Sequence, residues 1–142
     1  MSKPKHYQIA EKYIGLKEIE GPKHNETIVN FHKRISGTAH PDETSWCAAF
    51  VGCCLLDAGL PSSGSLAARS YQKYGDPALK PQIGDIVVFT RGNKNSWQGH
   101  VGFYAGEKGD YIMVLGGNQG NQVCVRAYPK SRLLATRRAP KV

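Results

Sequence analysis

The sequence contains no run of eighteen or more apolar residues, and this absence excludes a helix that spans a bilayer. The first six residues are basic but no apolar segment follows them, so we expect synthesis in the cytoplasm without a Sec signal peptide. The cysteines also lack the spacing of a disulfide framework or a zinc site. A reduced protein whose thiols are mostly small core residues accounts for the four of them: Cys47, Cys53, Cys54 and Cys124.

Acidic residues are few: the chain has 11 Asp and Glu but 19 Lys and Arg, which gives a formal net charge of +8. A positive field of this size attracts polyanions such as nucleic acid, anionic lipid or an anionic bacterial envelope. A high net charge can also serve only to keep a protein soluble, and the net charge does not distinguish these two explanations. No zinc-finger spacing, basic heptad or aromatic-basic motif is present, so we expect no specific nucleic-acid partner.

The length of 142 residues suits a single catalytic domain, 1–142, with a helical part at about 1–75 and a sheet part at about 83–138. Helical periodicity and cap residues predict four helices, at about 6–14, 25–37, 46–58 and 65–74. Short apolar runs between turn residues predict five strands, at 85–90, 100–104, 111–115, 122–126 and 133–136. Helices followed by strands predict an α+β fold, with a five-stranded antiparallel sheet packed on a central helix.

The third predicted helix is apolar on nearly every face, which is typical of a central, buried helix. Cys47 lies in its first turn, directly after the polar segment 40–45. The N–H groups and the dipole at a helix N-terminus favour a thiolate, and the Cys47 amide can also donate to an oxyanion. We therefore interpret Cys47 as a nucleophile. Core packing, the more frequent role of a cysteine in an apolar helix, is the alternative.

His100 follows Gly99 at the start of a predicted strand, and Gly102 comes two residues later. The two glycines allow other backbone to approach the imidazole closely. We interpret His100 as the general base for Cys47 across the helix–sheet interface, with a structural role as the alternative. The other histidines lie in helical or turn contexts and are expected at the surface: His6, His24, His32 and His40.

Asn118 follows Gly116 and Gly117 at the end of the next predicted strand. In an antiparallel meander, the end of one strand lies opposite the start of its neighbour, so Asn118 can reach the imidazole of His100 and orient it. The alternative is a turn asparagine in a left-handed conformation. Gln119 is the rival for the orienting role.

Three segments, 47–51, 84–89 and 99–104, resemble the conserved blocks of the NlpC/P60 and CHAP superfamily of papain-like peptidoglycan hydrolases. A wider run from 14–18 through 42–47 to 115–121 resembles a phage- and prophage-associated, endolysin-like branch, so the resemblance covers nearly the whole chain. Trp46 stands where NlpC/P60 members often have an acid, which makes the CHAP-like pattern preferable. The resemblance implies a papain-like fold with Cys47 as nucleophile and His100 as base.

The same resemblance implies a cysteine-dependent hydrolase of amide bonds in bacterial peptidoglycan. The enzyme would be a stem-peptide endopeptidase or an N-acetylmuramoyl-L-alanine amidase that needs no metal or other cofactor. Trp46, Glu43 and Gln119 are candidate residues of the cleft or the oxyanion hole. We expect a monomer that acts on the cell wall after release or delivery, as an endolysin or an effector does.

Two other classes of function use the same residues. A thiol acyltransferase or deconjugating enzyme employs the same Cys–His–polar triad on related folds, and the sequence does not separate a water acceptor from an amine acceptor. In a non-enzymatic wall-binding module, Cys47 would be only a core thiol. A metal site built from His32, His40, Cys47 or His100 ranks last, because no C-x-x-C or H-x-x-x-H spacing supports it.

Overall fold

Helices precede strands along the chain, as the sequence predicts, so the fold is α+β. The structure is a computed structural model that describes residues 3–18, 25–37, 46–91 and 99–140. Among these residues, none of the helices combines the length and the apolar character needed to cross a membrane.

Local capping signals set the bounds of the helices, which are α1 (Lys5–Glu11), α2 (Glu26–Ser36) and α3 (Cys47–Asp57). The side chain of Asn25 accepts a hydrogen bond from the backbone N–H two residues later, which caps α2 at its start. Gly37 ends α2 in the left-handed conformation, with a φ of 79°. These bounds follow the sequence prediction closely, except that α1 is shorter than expected.

The segment expected as a fourth α-helix, 65–74, forms a 3₁₀ helix over Ala68–Lys73 instead. Three hydroxyl oxygens just before it, those of Ser62, Ser63 and Ser65, each accept a hydrogen bond from the backbone N–H group two residues later. Such local side-chain bonds compete with helical hydrogen bonds and favour turns. A second 3₁₀ helix, Lys130–Arg132, connects the last two strands.

Within the described residues, the strands form one antiparallel sheet of six, in the order β1-β6-β2-β3-β4-β5. The prediction of five strands is therefore wrong. The strands are β1 (Asp76–Pro77), β2 (Ile86–Thr90), β3 (Gly99–Lys108), β4 (Tyr111–Gly116), β5 (Cys124–Pro129) and β6 (Leu133–Arg138). The additional strand is β1, whose two residues pair only with the end of the chain and carry no alternating pattern. The run from β2 to β5 is the expected meander.

The sheet has two apolar faces. One face packs on α3 in the main core, where Phe50 and Val51 of the helix and Val101 and Phe103 of β3 are buried. A smaller cluster on the other face centres on Phe89 of β2. Since His100 pairs with Phe89, side-chain alternation places the imidazole on the same face as this smaller cluster.

Two histidines expected at the surface are buried. His6 is 6% exposed and His32 is fully buried, so the prediction is wrong for both. Nε2 of His6 lies 2.7 Å from the carbonyl oxygen of Gly84, a pairing 78 residues apart that no local pattern signals. His24 and His40 lie outside the described residues.

Candidate active site

Cys47 is the first residue of α3 and is only 2% exposed. The preceding residue, Trp46, provides no side-chain cap, and the first turn of the helix contains no acidic residue. The N–H groups of this turn lack helical acceptors, and their positive partial charge stabilises an anion at Cys47. The expected position of the thiol at the helix N-terminus is thus observed.

His100 is the second residue of β3 and is fully buried. Its ring stacks on Tyr128 of β5, with centroids 4.9 Å apart and planes inclined by 19°. Phe89 stacks on the same tyrosine at 5.1 Å and 26°. Tyr128 therefore fixes the plane of the imidazole. Sequence reasoning missed this residue, because no local pattern signals its contact with a ring on a different strand.

Gln119 forms the hydrogen bond that orients the imidazole. Its Oε1 lies 2.8 Å from Nε2 of His100, and its Nε2 donates to the carbonyl oxygens of Val114 at 3.1 Å and Cys124 at 2.8 Å. Because the amide nitrogen has two carbonyl partners, the amide orientation is fixed and Oε1 must act as the acceptor. Nε2 of His100 therefore carries the proton, and in the neutral ring the lone pair lies on Nδ1.

The thiol of Cys47 interacts with the His100 side chain, and Nδ1 is the ring nitrogen left for it. Nδ1 has no partner at standard hydrogen-bond distance among the described residues, so this contact is a loose one, as is common before substrate binds. Burial, the largest single influence, raises the pKa of Cys47, but the interactions with His100, the Val101 N–H and Arg91 together outweigh it. The pKa of the thiol is lowered from 9.0 to about 7 as a result.

The orienting role expected for Asn118 has to be corrected, because the hydrogen bond to the ring comes from Gln119. Asn118 has a φ of 57°, the left-handed turn conformation that was its alternative interpretation. A left-handed residue reverses the chain after β4 and interrupts the alternation of strand side chains. Gln119 therefore points back to the imidazole instead of away from it.

The two glycines before Asn118 make room for this arrangement. A Cβ atom on Gly116 would lie 2.5 Å from Oε1 of Gln119, and a Cβ on Gly117 would lie 2.6 Å from a ring atom of Trp46. Neither distance is sterically possible without a shift of the neighbouring group. The loop after β4 thus needs glycine at both positions to hold Gln119 against His100.

Trp46 packs against this loop at Gly117. It is fully buried and donates from its indole Nε1 to Oε1 of Glu18 at 2.6 Å. The expectation that Trp46 lines an open cleft is therefore wrong. Glu43, the other candidate cleft residue, lies outside the described residues.

The remaining cysteines have different environments. Cys53 and Cys54 are buried in α3 as expected, and burial raises the pKa of Cys53 to about 11 and that of Cys54 well above 9.0. Cys124 is only half-buried, with its Sγ 3.4 Å from the backbone oxygen of Gln119. The pKa of Cys47 is thus lowered, whereas those of Cys53 and Cys54 on the same helix are raised.

A cavity of about 290 Å³ lies away from Cys47, beyond the C-terminal end of α3. Its lining includes His6, Leu60, Asp85 and Arg138. In the ranges that the structure describes, no three side chains of His, Cys, Asp or Glu form a group that could hold a metal ion.

The comparison with protein families places these residues in a known context. The model of the CHAP domain family matches residues 39–118, more than half of the chain, and this segment includes Cys47 and His100. No curated protein matches the chain. CHAP domains are generally peptidoglycan hydrolases and usually depend on a cysteine, and they have a papain-like fold. On this match, the chain belongs to the CHAP domain family within the wider NlpC/P60-CHAP superfamily.

Proposed function

We propose that the chain hydrolyses an amide bond in the peptides of bacterial peptidoglycan, with Cys47 as nucleophile and His100 as general base. The observation that carries this proposal is the hydrogen bond from His100 Nε2 to Gln119, because it leaves the basic nitrogen Nδ1 for the thiol. A thiol that serves only as core packing needs no such partner. The lowered pKa of Cys47 supports the same interpretation.

In the first step, the Cys47 thiol transfers its proton to Nδ1 of His100, and the thiolate attacks the carbonyl carbon of the scissile amide. The carbonyl oxygen becomes an oxyanion close to the N-terminus of α3, where the Cys47 N–H can donate to it. Collapse of this intermediate breaks the C–N bond, and the imidazolium gives its proton to the departing amine. The acyl group then remains on Cys47 as a thioester.

In the second step, His100 accepts a proton from water, and the resulting hydroxide attacks the thioester carbonyl. The thiolate leaves, and the proton returns from the imidazolium, so the free thiol and the product carboxylic acid are released. Gln119 holds the same ring nitrogen through both steps, because Nε2 keeps its proton throughout. Tyr128 keeps the ring plane fixed while its charge changes.

The bond that is cut is either the N-acetylmuramoyl-L-alanine amide or an amide within the stem peptide. Both are neutral amides that the same two steps can hydrolyse, and the two products differ in mass and in their new termini. An endolysin-like or effector-like role is consistent with either bond. A thiol acyltransferase would differ only in the second step, where an amine replaces water as the acceptor.

The experiment that tests the proposal compares muropeptides released from purified peptidoglycan by the wild-type chain and by the variants Cys47→Ala and His100→Ala. We expect both variants to lose release almost completely, because nucleophile and base act as one unit and their losses do not add. Cys54→Ala, on the same helix but without contact to His100, serves as the matched control and should retain activity. Mass spectrometry identifies the bond, and products linked to an added amine would indicate acyl transfer.

Wild-type turnover in Cys47→Ala would contradict the mechanism. A wild-type chain that binds peptidoglycan without releasing any product would instead identify a binding module.

A further inference from the structure

Two arginines near the thiol differ from most other arginines of the described chain. Four guanidinium groups are engaged by carboxylates or backbone carbonyls, those of Arg34, Arg132, Arg137 and Arg138. Arg91 and Arg126 are exposed and form no ion pair with an acidic residue of the described ranges. Within this part of the chain, their donors are not consumed by the fold.

Arg126 lies on the same face of the sheet as the imidazole. It precedes Tyr128 by two residues in β5, so both side chains project from one face, and Tyr128 stacks on His100. Nη1 of Arg126 lies 3.2 Å from the position that a Cβ on Gly120 would occupy. The guanidinium therefore rests against the loop that carries Gln119.

Arg91 lies next to the end of β2, the strand that pairs with the start of β3. It directly follows Thr90, the last residue of β2, and Thr90 pairs with Gly99, the residue before His100. The charge of Arg91 also lowers the pKa of the Cys47 thiol. Arg91 therefore adds positive charge that acts on the thiol.

The charges of both arginines act on Tyr128. Burial raises the pKa of Tyr128 to about 12, and the charges of Arg126 and Arg91 act in the opposite direction. Tyr128 also stacks on His100, the proposed general base. The charges of both arginines therefore act on a residue that contacts the reaction centre.

We propose that Arg91 and Arg126 form a carboxylate-binding site beside Cys47, so that the chain prefers peptides with a free carboxylate near the scissile amide. This inference rests on the proposed function. A guanidinium matches a carboxylate with two parallel N–H donors, whereas a carboxamide opposes one of them with its own NH₂ group. The site therefore distinguishes a carboxylate from the carboxamide of the same size.

The geometry limits where that carboxylate lies. An extended peptide advances about 3.3 Å per residue, and two residues of β5 separate Arg126 from the tyrosine under the imidazole. On this proposal, we expect a carboxylate one or two residues from the scissile amide to meet the guanidinium while the carbonyl lies at Cys47. Binding there positions the substrate and contributes to its specificity, while proton transfer stays with His100.

The test compares two synthetic stem peptides that differ only in a carboxylate or a carboxamide at this distance from the cleaved bond. For the wild-type chain we expect kcat/KM to be about tenfold to a hundredfold higher on the carboxylate peptide. In Arg126→Gln this preference should fall to less than threefold through a higher KM, with kcat nearly unchanged. Lys108→Gln removes the same charge at the distant end of β3 and should keep the preference.

A second measurement does not depend on hydrolysis. Alkylation of Cys47 by iodoacetate, which carries a carboxylate, is compared with alkylation by the neutral iodoacetamide. The ratio of the two rates should fall in Arg91→Gln and Arg126→Gln but not in Lys108→Gln. The ratio also cancels any change of the thiol pKa, because both reagents need the same thiolate.

An equal rate on both peptides in the wild-type chain, or an equal loss on both in Arg126→Gln, would overturn the inference. If neither peptide is cleaved, the proposed function fails, while the reagent ratio still decides whether the carboxylate site exists. A ratio that is the same in all four proteins contradicts it.

Discussion

The replacement Gln119→Leu removes the acceptor of the His100 Nε2 proton at nearly constant side-chain volume. The imidazole is fully buried, so the Nε2–H group would have no water to replace the amide oxygen. Leaving such a donor unpaired costs about 1–3 kcal/mol. The ring can avoid this cost by moving its proton to Nδ1, but that tautomer has no lone pair facing the thiol of Cys47.

A cost of about 1–3 kcal/mol corresponds to a decrease of about fivefold to 150-fold in the productive tautomer. We expect kcat/KM for peptide hydrolysis to fall by about this factor. The pKa of Cys47 should also rise from about 7, because a ring without a free Nδ1 no longer offsets the effect of burial. The measurements are hydrolysis kinetics and the pH dependence of Cys47 alkylation.

Two variants separate the acceptor from the other contacts of Gln119. Gln119→Glu also loses the donors to the carbonyls of Val114 and Cys124, but it keeps an oxygen that accepts from Nε2, so it should retain more activity than the leucine variant. Asn118→Gly removes the neighbouring carboxamide at a position where glycine tolerates the φ of 57°. A wild-type rate in Gln119→Leu, or a larger loss in Asn118→Gly, would refute the assignment of the orienting role.

Two further predictions test the environment of the same ring. Gly116→Ala places a Cβ 2.5 Å from Oε1 of Gln119, so the amide must move. We therefore expect activity to fall as far as in Gln119→Leu, although no reacting group has changed. An unchanged rate in the folded variant would show that the amide position is unimportant. Alkylation of Cys47, mapped by peptide mass spectrometry, should rise with pH through a midpoint near 7, because only the thiolate reacts. In His100→Ala the midpoint of alkylation should move to pH 9 or above. This shift lowers the thiolate fraction at pH 7 from about one half to about one hundredth or less. A midpoint that stays near 7 would mean that the imidazole does not activate the thiol.

The parts of the fold that depend on local signals could be predicted from the sequence. Asn25 and Gly37 mark the ends of α2 because a capping side chain and a left-handed glycine act within a few residues. The apolar character of α3 predicts its burial, which the structure confirms at nine of its eleven residues. β1 was missed because its two residues are a strand only through pairing with β6, some sixty residues away.

The candidate site shows the same division at the scale of single residues. Cys47 and His100 could be chosen as candidates because each lies at the start of an element that the sequence pattern predicts, and their catalytic roles stay a prediction. The preference for Asn118 over Gln119 failed because Asn118 is left-handed, which turns the side chain of the next residue towards the imidazole. Tyr128 could not be found at all, since its contact with the imidazole is a tertiary one between two strands that are not neighbours in the sheet.

The use of a neutral amide at Gln119 has a consequence for the charge of the whole site. A carboxylate in that position would stabilise the imidazolium and would also attract the nearby guanidinium groups of Arg91 and Arg126. With an amide, the thiolate and the imidazolium compensate only each other, and the orienting hydrogen bond adds no net charge. The positive charges of Arg91 and Arg126 then remain available to an anionic substrate. The same residue choice that fixes the tautomer of His100 therefore also leaves the proposed carboxylate site without an internal competitor among the described residues.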